Sequence, residues 1–271
     1  MRKIIFLILA AMLAIPATAQ IVSKEFAYKG GEELSFNISF RAALWPNTEM
    51  GKVVFKVSDD NLDGLATYKV DVSANTTAFR LVYKMDDYYT TWIDKSTARP
   101  VLAKRNISEG NYQFNSDIVF DWEKMEARSR RRNLKWDGDA RDTLQITASS
   151  WDAIGFFFAL RSVDFDNLPS GERRNFDMVK ETSIRTMQYR YEGKEEKEVK
   201  GLGKVKTLKL ACQITDSEGN PFEDGDEFYV WLTDDRNKVP VYLESPVKVG
   251  SIRARLVSYK NLKFPKDSVL Q

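Results

Sequence analysis

The sequence predicts a mainly β protein: an antiparallel curved sheet, either barrel-like or a sandwich, with one buried helix. Two observations support this prediction. Many short segments alternate apolar and polar residues, which is the period of strands that turn one face to a core. One stretch, about residues 150–161, instead has helical spacing and is apolar over much of its surface. A helix of that composition must be buried against a sheet.

The clearest strands are the last three. Between Glu227 and Tyr259 three segments place apolar residues on one face: Phe228, Val230 and Leu232, then Val239, Val241 and Leu243, then Ile252, Ala254 and Leu256. The connections are short and polar, which favours antiparallel neighbours. A three-stranded meander is therefore predicted at this end of the chain.

Similar strands precede the helix. Glu32 to Arg41 alternates, the segment Trp45-Pro46-Asn47 is expected to break that strand, and Gly51 is expected to open the next. A dozen or more such segments follow at short spacing, as is typical of a barrel or sandwich. Thr76 to Met85 differs, because its apolar residues recur at helical spacing and predict a short helix.

The main helix has its start signals in the sequence. Ser149 or Ser150 can cap it, and Asp152 falls in the first turn, where the helix dipole favours an acid. Trp151, Ile154 and Phe157 are among its apolar residues. We expect the helix to plug the open side of a curved sheet.

The first residues are typical of a secretory signal. Arg2 and Lys3 precede the apolar run Ile4 to Ile15, and Ala17-Thr18-Ala19 is a small-x-small cleavage site. The run is shorter than the ~20 apolar residues of a membrane-spanning helix. Residues 1–19 are thus predicted to be a signal peptide and 20–271 one β-rich domain, with two sheet halves joined around 150–161 as the alternative. The mature chain would be periplasmic or extracellular, without a transmembrane span.

Composition excludes several classes of function. The chain has 41 basic and 39 acidic residues, and loss of Arg2 and Lys3 would leave the mature chain formally neutral. Neutrality gives no general attraction to nucleic acid. With no His and one Cys, the chain has no Ser-His-Asp triad, no His-based zinc site and no internal disulfide.

A family resemblance runs through most of the mature chain. Its motifs are Ser149-Ser150-Trp151-Asp152 before the helix, Leu160-Arg161 at its end, Tyr191 to Glu195, Leu202 to Thr207, Tyr229 to Asp235 before Val239-Pro240-Val241, and, near the start, Glu32 to Phe36 and Asp94 to Pro100. These motifs resemble the secreted bacterial family called domain of unknown function 3108. The resemblance implies an exported β-rich protein. It implies no activity, so no functional residue is carried over.

An acidic loop is a candidate calcium site. Five residues match positions 1, 3, 5, 9 and 12 of an EF-hand loop: Asp216, Glu218, Asn220, Asp224 and Glu227. Pro221 stands where that loop requires Gly, and the flanks are predicted strands. An ordinary solvated hairpin loop is the alternative, and no other cofactor is predicted.

A basic run is a candidate anion site. Arg128, Arg130 and Arg132 would share one face of a strand and could grip a phosphate or sulfate. Nearby acids, including Asp139, can neutralise them. The alternative is a charged edge that deters strand pairing.

Aromatic residues on strands are the candidate ligand site. The row contains Tyr88, Tyr89, Trp92, Tyr112 and Phe114. Such residues could line a pocket for an acyl chain or a sugar ring, or could pack a core.

The sequence therefore predicts a non-enzymatic binding or scaffold protein of the bacterial envelope, holding an apolar or glycan ligand in a curved sheet. A carboxylate-dependent hydrolase acting on an envelope polymer is the first alternative, because Asp and Glu are the acids and bases that remain. A structural partner of another envelope protein is the second.

Overall fold

The computed structural model describes residues 25–42, 45–77, 84–133, 139–215 and 227–270. The predicted signal peptide, most of the predicted short helix at 76–85 and most of the predicted calcium loop lie outside these residues. Within the described residues there are fifteen strands and one helix. The strands are β1 (Glu33–Ala42), β2 (Trp45–Leu62), β3 (Leu65–Thr76), β4 (Asp86–Asp94), β5 (Pro100–Glu109), β6 (Tyr112–Asp121), β7 (Glu126–Asn133), β8 (Asp139–Gln145), β9 (Ser150–Trp151), β10 (Arg173–Val179), β11 (Ile184–Val199), β12 (Gly203–Thr215), β13 (Phe228–Thr233), β14 (Pro240–Pro246) and β15 (Ser251–Lys260), and the helix is α1 (Ala153–Arg161).

All these strands belong to one sheet. Their order is β8-β7-β6-β5-β4-β3-β2-β1-β15-β14-β13-β12-β11-β10-β9. Every neighbouring pair is antiparallel except β9 and β10, which are parallel. The sheet is thus two meanders joined through β1 and β15. The mainly β prediction is confirmed, and the architecture is a curved open sheet rather than a sandwich of two.

The two edges of the sheet are joined by side chains. Ser129, on β7, donates a hydrogen bond to the backbone oxygen of Glu181, just after β10, at 2.5 Å. Thr147, after β8, donates to Asp177 on β10 at 2.6 Å. Because residues near both edges meet in this way, the sheet must curve back on itself.

The predicted meander and the predicted helix are both present, but the helix starts later in the chain than expected. Strands β13 to β15 form the antiparallel meander. The helix begins at Ala153 rather than near residue 150, because the Asp152 carboxylate caps it by accepting from the backbone N–H groups of Ile154 and Gly155. Ser150 and Trp151 instead pair with β10. Strand β2 starts at Trp45, so the Trp45-Pro46-Asn47 segment begins a strand where a break was expected.

The helix lies against the concave face of the sheet, where its aromatic side chains fill the core. Phe157 stacks on Phe55 of β2 with ring centroids 4.6 Å apart. Phe156 meets Phe176 of β10 edge to face at 5.0 Å. The helix therefore packs against both meanders, as expected for an apolar helix that plugs a curved sheet.

A buried ion pair fixes the C-terminal end of α1. Arg161 donates to the two carboxylate oxygens of Glu32 at 2.6 and 3.0 Å, and both side chains are fully buried. Its guanidinium also donates to the backbone oxygen of Asn237 at 3.0 and 3.2 Å. The pair thus ties the helix to the segment before β1 and to the β13–β14 turn.

Candidate ligand-binding cavities

Two cavities lie beside α1. The first, the apolar cavity, has a volume of about 240 Å³ and is bounded by β1, β2, β12 to β15 and the second half of the helix. Its lining includes Phe36, Ile38, Phe55, Phe157, Leu160, Cys212, Val230, Leu243 and Ala254. Alternation explains this lining, because the register pairs Ile38 with Ala254 and Ala254 with Leu243 on the concave face.

No charged side chain lines the apolar cavity among the described residues. Its two weakly acidic groups stay neutral near neutral pH. Burial raises the pKa of the Cys212 thiol and the pKa of the Tyr242 phenol. The cavity therefore offers dispersion contacts and exclusion of water, and it suits a hydrocarbon group.

The apolar lining continues toward the β14–β15 turn. Ile252 lies two residues before Ala254 on β15, pairs with Phe40 of β1 and is 39% exposed. Val249, in the turn, is 71% exposed. An apolar strip thus leads from the cavity to the surface.

The second cavity, the polar cavity, also measures about 240 Å³. It lies between β4 to β6, the start of α1 and the end of β10. Its lining includes Tyr89, Thr91, Arg105, Ile118, Asp152, Met178 and Glu181. It combines acids, a guanidinium and an aromatic ring, so it is chemically unlike the apolar cavity.

Asp152 is the most unusual residue of the polar cavity. Its Oδ2 atom accepts from the Thr91 hydroxyl at 2.6 Å and from the N–H groups of Ile154 and Gly155 at 3.0 and 3.2 Å. Its Oδ1 atom is buried and has no hydrogen-bond partner among the described residues. Burial raises the pKa of Asp152 despite the hydrogen bonds, which act in the opposite direction.

The pKa of Glu181 is shifted in the opposite direction. Burial alone would raise its pKa, but a hydrogen bond from Ser116 at 2.7 Å and the positive charge of Arg105 outweigh burial and lower the pKa. Arg105 donates to the same carboxylate oxygen at 2.6 Å. The polar cavity thus contains two carboxyl groups whose pKa values are shifted in opposite directions.

Comparison with known proteins places the chain in a family. The model of the family described as "Protein of unknown function (DUF3108)" matches residues 35–257. The chain belongs to the DUF3108 family. This match confirms the resemblance in the sequence motifs, and the matched range contains both cavities and the helix.

The chain was also compared with solved structures, and one of them shares its fold. The crystal structure of a beta-barrel-like protein of domain of unknown function DUF1849 from Brucella abortus is 11% identical in sequence, with a TM-score of 0.56, and the match covers 84% of this chain and 96% of that chain. A lipoprotein candidate from Parabacteroides distasonis is 10% identical, with a TM-score of 0.34 over 87% of this chain and 98% of that chain. No match was found among curated proteins. At these identities, the first structure shows the fold alone.

One further finding concerns membranes. Among the described residues of this DUF3108 protein, no helix is long and apolar enough to cross a membrane.

The five predicted aromatic ligand residues divide between the faces of the sheet. Tyr89 lines the polar cavity. Phe114 lies near this cavity, because the Arg105 guanidinium is 5.7 Å from the ring centroid of Tyr89 and 5.7 Å from that of Phe114. Tyr112 stacks on Phe114, with the two ring centroids 6.2 Å apart.

Tyr88 and Trp92 are on the opposite face of β4 from Tyr89. Tyr88 is 53% exposed, and Trp92 donates to Asp60 at 2.8 Å. The five residues therefore do not form one pocket, although one of them contributes to a cavity.

The predicted anion site is already neutralised in part. Arg128 pairs with Asp121 at 3.2 Å, and Arg130 donates to Asp139 at 2.8 Å through Nε. Arg132 is exposed on the same face of β7. Strand β7 lies one place inside the sheet edge, which is β8, so these arginines do not form an edge.

The predicted calcium ligands Asp216, Glu218, Asn220 and Asp224 lie outside the described residues. Glu227, the fifth, is described, and both of its carboxylate oxygens accept from Arg190 at 2.8 and 3.2 Å.

The polar cavity contains functional groups that sequence reasoning missed. Asp152 was expected only to interact with the helix dipole. However, it is the one acid between Trp151 and the apolar residues of the helix, and this position was a usable signal for a buried carboxyl group. Arg105 and Glu181 are separated by 76 positions, and nothing in their local sequence indicates the pair.

Proposed function

We propose that this DUF3108 protein is a non-enzymatic binding protein that holds a single hydrocarbon chain in the apolar cavity. One observation carries the proposal: a cavity of about 240 Å³ between the helix and the sheet has no charged lining residue among those described. An apolar space of this kind favours a hydrocarbon over water, at about 0.8 kcal/mol per buried methylene.

The volume restricts the ligand. It lies just below the ~300–1,000 Å³ of drug-sized ligand pockets. A short chain, or the end of a longer chain whose remainder follows the strip through Ile252, fits this space better than a bulky ring system.

Binding of straight-chain alcohols, from hexanol to decanol, tests the proposal by calorimetry. Each added methylene should tighten binding about fourfold, as about 0.8 kcal/mol per methylene requires, until the cavity is full. An affinity that does not change with chain length would refute it.

A matched pair of variants locates the site. Ala254→Phe places a ring in the cavity and should abolish binding, whereas Ser258→Phe, at an exposed position of the same strand, should not. Equal loss in both variants would refute the location.

The natural occupant can be sought by native mass spectrometry of protein purified from its own envelope. A lipid released from the wild type but not from Ala254→Phe supports the proposal. A co-purified protein subunit with no lipid would instead support the structural-partner alternative.

A second candidate function is hydrolysis by carboxyl groups. Asp152 and Glu181 line one cavity and have pKa values shifted apart, a pattern found in acid–base pairs of hydrolases. Release of nitrophenol from nitrophenyl glycosides, lost in both Asp152→Asn and Glu181→Gln, would support it. No release by the wild type from any of these substrates counts against it.

We also propose that the chain acts outside the cytoplasm after cleavage following Ala19. The charged start, apolar run and cleavage pattern of residues 1–19 support this. The intact mass of protein isolated from an envelope fraction tests it, since a mature chain beginning at Gln20 is expected and retention of residues 1–19 would contradict it.

A further inference from the structure

We infer that the polar cavity is a second binding site, which takes a small uncharged ligand rich in hydroxyl groups, such as a single sugar ring or a polyol. The site is separate from the apolar cavity, and the inference does not depend on the proposed hydrocarbon ligand. It also does not require catalysis by the carboxyl groups.

The unpartnered oxygen of Asp152 is the first support. The residue is 5% exposed and lines the cavity; its Oδ2 atom accepts three hydrogen bonds, whereas its buried Oδ1 atom has no partner among the described residues. A buried acceptor without a partner is costly, about 1–3 kcal/mol. A small movement of the carboxylate toward the cavity would let a ligand hydroxyl donate a hydrogen bond to Oδ1, and this would remove the cost.

The other lining groups identify the kind of donor. Arg105 brings guanidinium N–H groups to the cavity, and Glu181 brings a carboxylate. A hydroxyl group both donates and accepts, so it can satisfy Asp152 and Arg105 together.

The charges of the lining residues argue against a cationic ligand and against an anionic ligand. Three basic side chains, Lys104, Arg105 and Lys180, line the cavity together with the two acids Asp152 and Glu181. An ammonium ion would meet the basic groups and an anion would meet the acids, so each would be opposed by like charge. An uncharged ligand avoids both costs.

Shape limits the size of the ligand. The volume of about 240 Å³ leaves room for one ring, and Tyr89 provides an aromatic surface in the lining. Sugar rings present apolar C–H faces as well as hydroxyl groups, so this combination suits them.

The test is an NMR titration that follows the backbone amides of Asp152, Ile154 and Gly155. The probes are glucose, N-acetylglucosamine and glycerol, with methylammonium and acetate as charged comparisons. A sugar or glycerol should shift these amides in a saturable way. Saturable binding of methylammonium or acetate alone, or of no probe, would overturn the inference.

Asp152→Asn is the decisive variant. Asn caps helices about as well as Asp, so the fold should be kept. Its amide can keep an oxygen at the capping position and present an NH₂ group where Oδ1 had been, so the unpartnered acceptor becomes a donor. The ligand hydroxyl then meets a second donor beside Arg105 and loses the acceptor for its own proton, so binding of the hydroxyl probe should weaken at least about tenfold, the effect of ~1.4 kcal/mol.

Two further variants complete the design. Asp164→Asn changes an exposed carboxyl beyond the helix and should leave binding unchanged. Ala103→Leu fills the cavity from β5 and should abolish binding without altering the helix cap. Unchanged binding in Ala103→Leu would overturn the assignment even if Asp152→Asn failed to fold.

Discussion

Replacement of Glu32 by Gln should strongly destabilise the protein. Glu32 and Arg161 are both fully buried, and their N–O distances of 2.6 and 3.0 Å make a two-pronged pair. Gln keeps the shape and removes the negative charge, so the Arg161 guanidinium is left as an uncompensated buried charge. Breaking a buried pair from one side costs about 3–5 kcal/mol.

The neighbouring residue is a matched control. Glu33, on β1, has the same carboxylate, but the residue is half-buried. Its Oε2 atom lies 3.9 Å from Nζ of Lys56, and its Oε1 atom lies 3.7 Å from Nζ of Lys260. Pairs of this kind contribute ~0–1 kcal/mol. Glu33→Gln should therefore change the stability only slightly, although it makes the same chemical change at the neighbouring position.

Thermal unfolding followed by circular dichroism measures the stability of both variants. For a domain of this size, ~1 kcal/mol corresponds to ~2–4 °C in melting temperature, so Glu32→Gln should melt roughly 6–20 °C lower than wild type. Adding Arg161→Met to Glu32→Gln should recover part of the loss, because no buried charge remains. A cost for Glu32→Gln no larger than that for Glu33→Gln would refute the reasoning.

Three further predictions concern single side chains. Burial raises the pKa of Asp152 above the ~3.9 of an unfolded chain, so the folded state binds the proton more tightly. Wild type should therefore lose stability relative to Asp152→Asn as pH rises from ~3.9 through the folded pKa, and a difference that does not vary with pH in urea titrations would contradict this. Burial also raises the pKa of the Cys212 thiol, and the residue is fully buried, so a thiol reagent at pH 8 should label it only after unfolding. Fast labelling of folded protein would be inconsistent with the core described. Glu227 is already bound by Arg190 through both oxygens, so millimolar calcium should leave the melting temperature unchanged, and a rise reversed by a chelator would restore the calcium interpretation.

Period-two alternation was sufficient to predict the sheet. Segments such as Leu34 to Phe40 turn one face to a core, and that signal is local, so it could be read without a partner strand. The start of the helix was misplaced because Ser149, Ser150 and Asp152 are all good caps, and pairing of Ser150 and Trp151 with β10 decided among them. Such pairing is tertiary information, which the local sequence does not contain.

The candidate site was less predictable for the same reason. Aromatic residues were identified by type, yet adjacent Tyr88 and Tyr89 point to opposite faces, and only the fold shows which face holds a cavity. The polar cavity depends on Arg105 meeting Glu181 across 76 positions. Long-range contacts of this kind follow from strand order, and strand order is not fixed by alternation.

The pairing of β1 with β15 has a consequence for biogenesis. This seam lies in the middle of the sheet, although its two strands come from opposite ends of the described chain. Each meander can form from neighbouring segments, but the seam must wait for the last strand to leave the ribosome. A chain truncated before Ser251 would have two exposed inner strands at its centre, so quality control should recognise incomplete products at this seam.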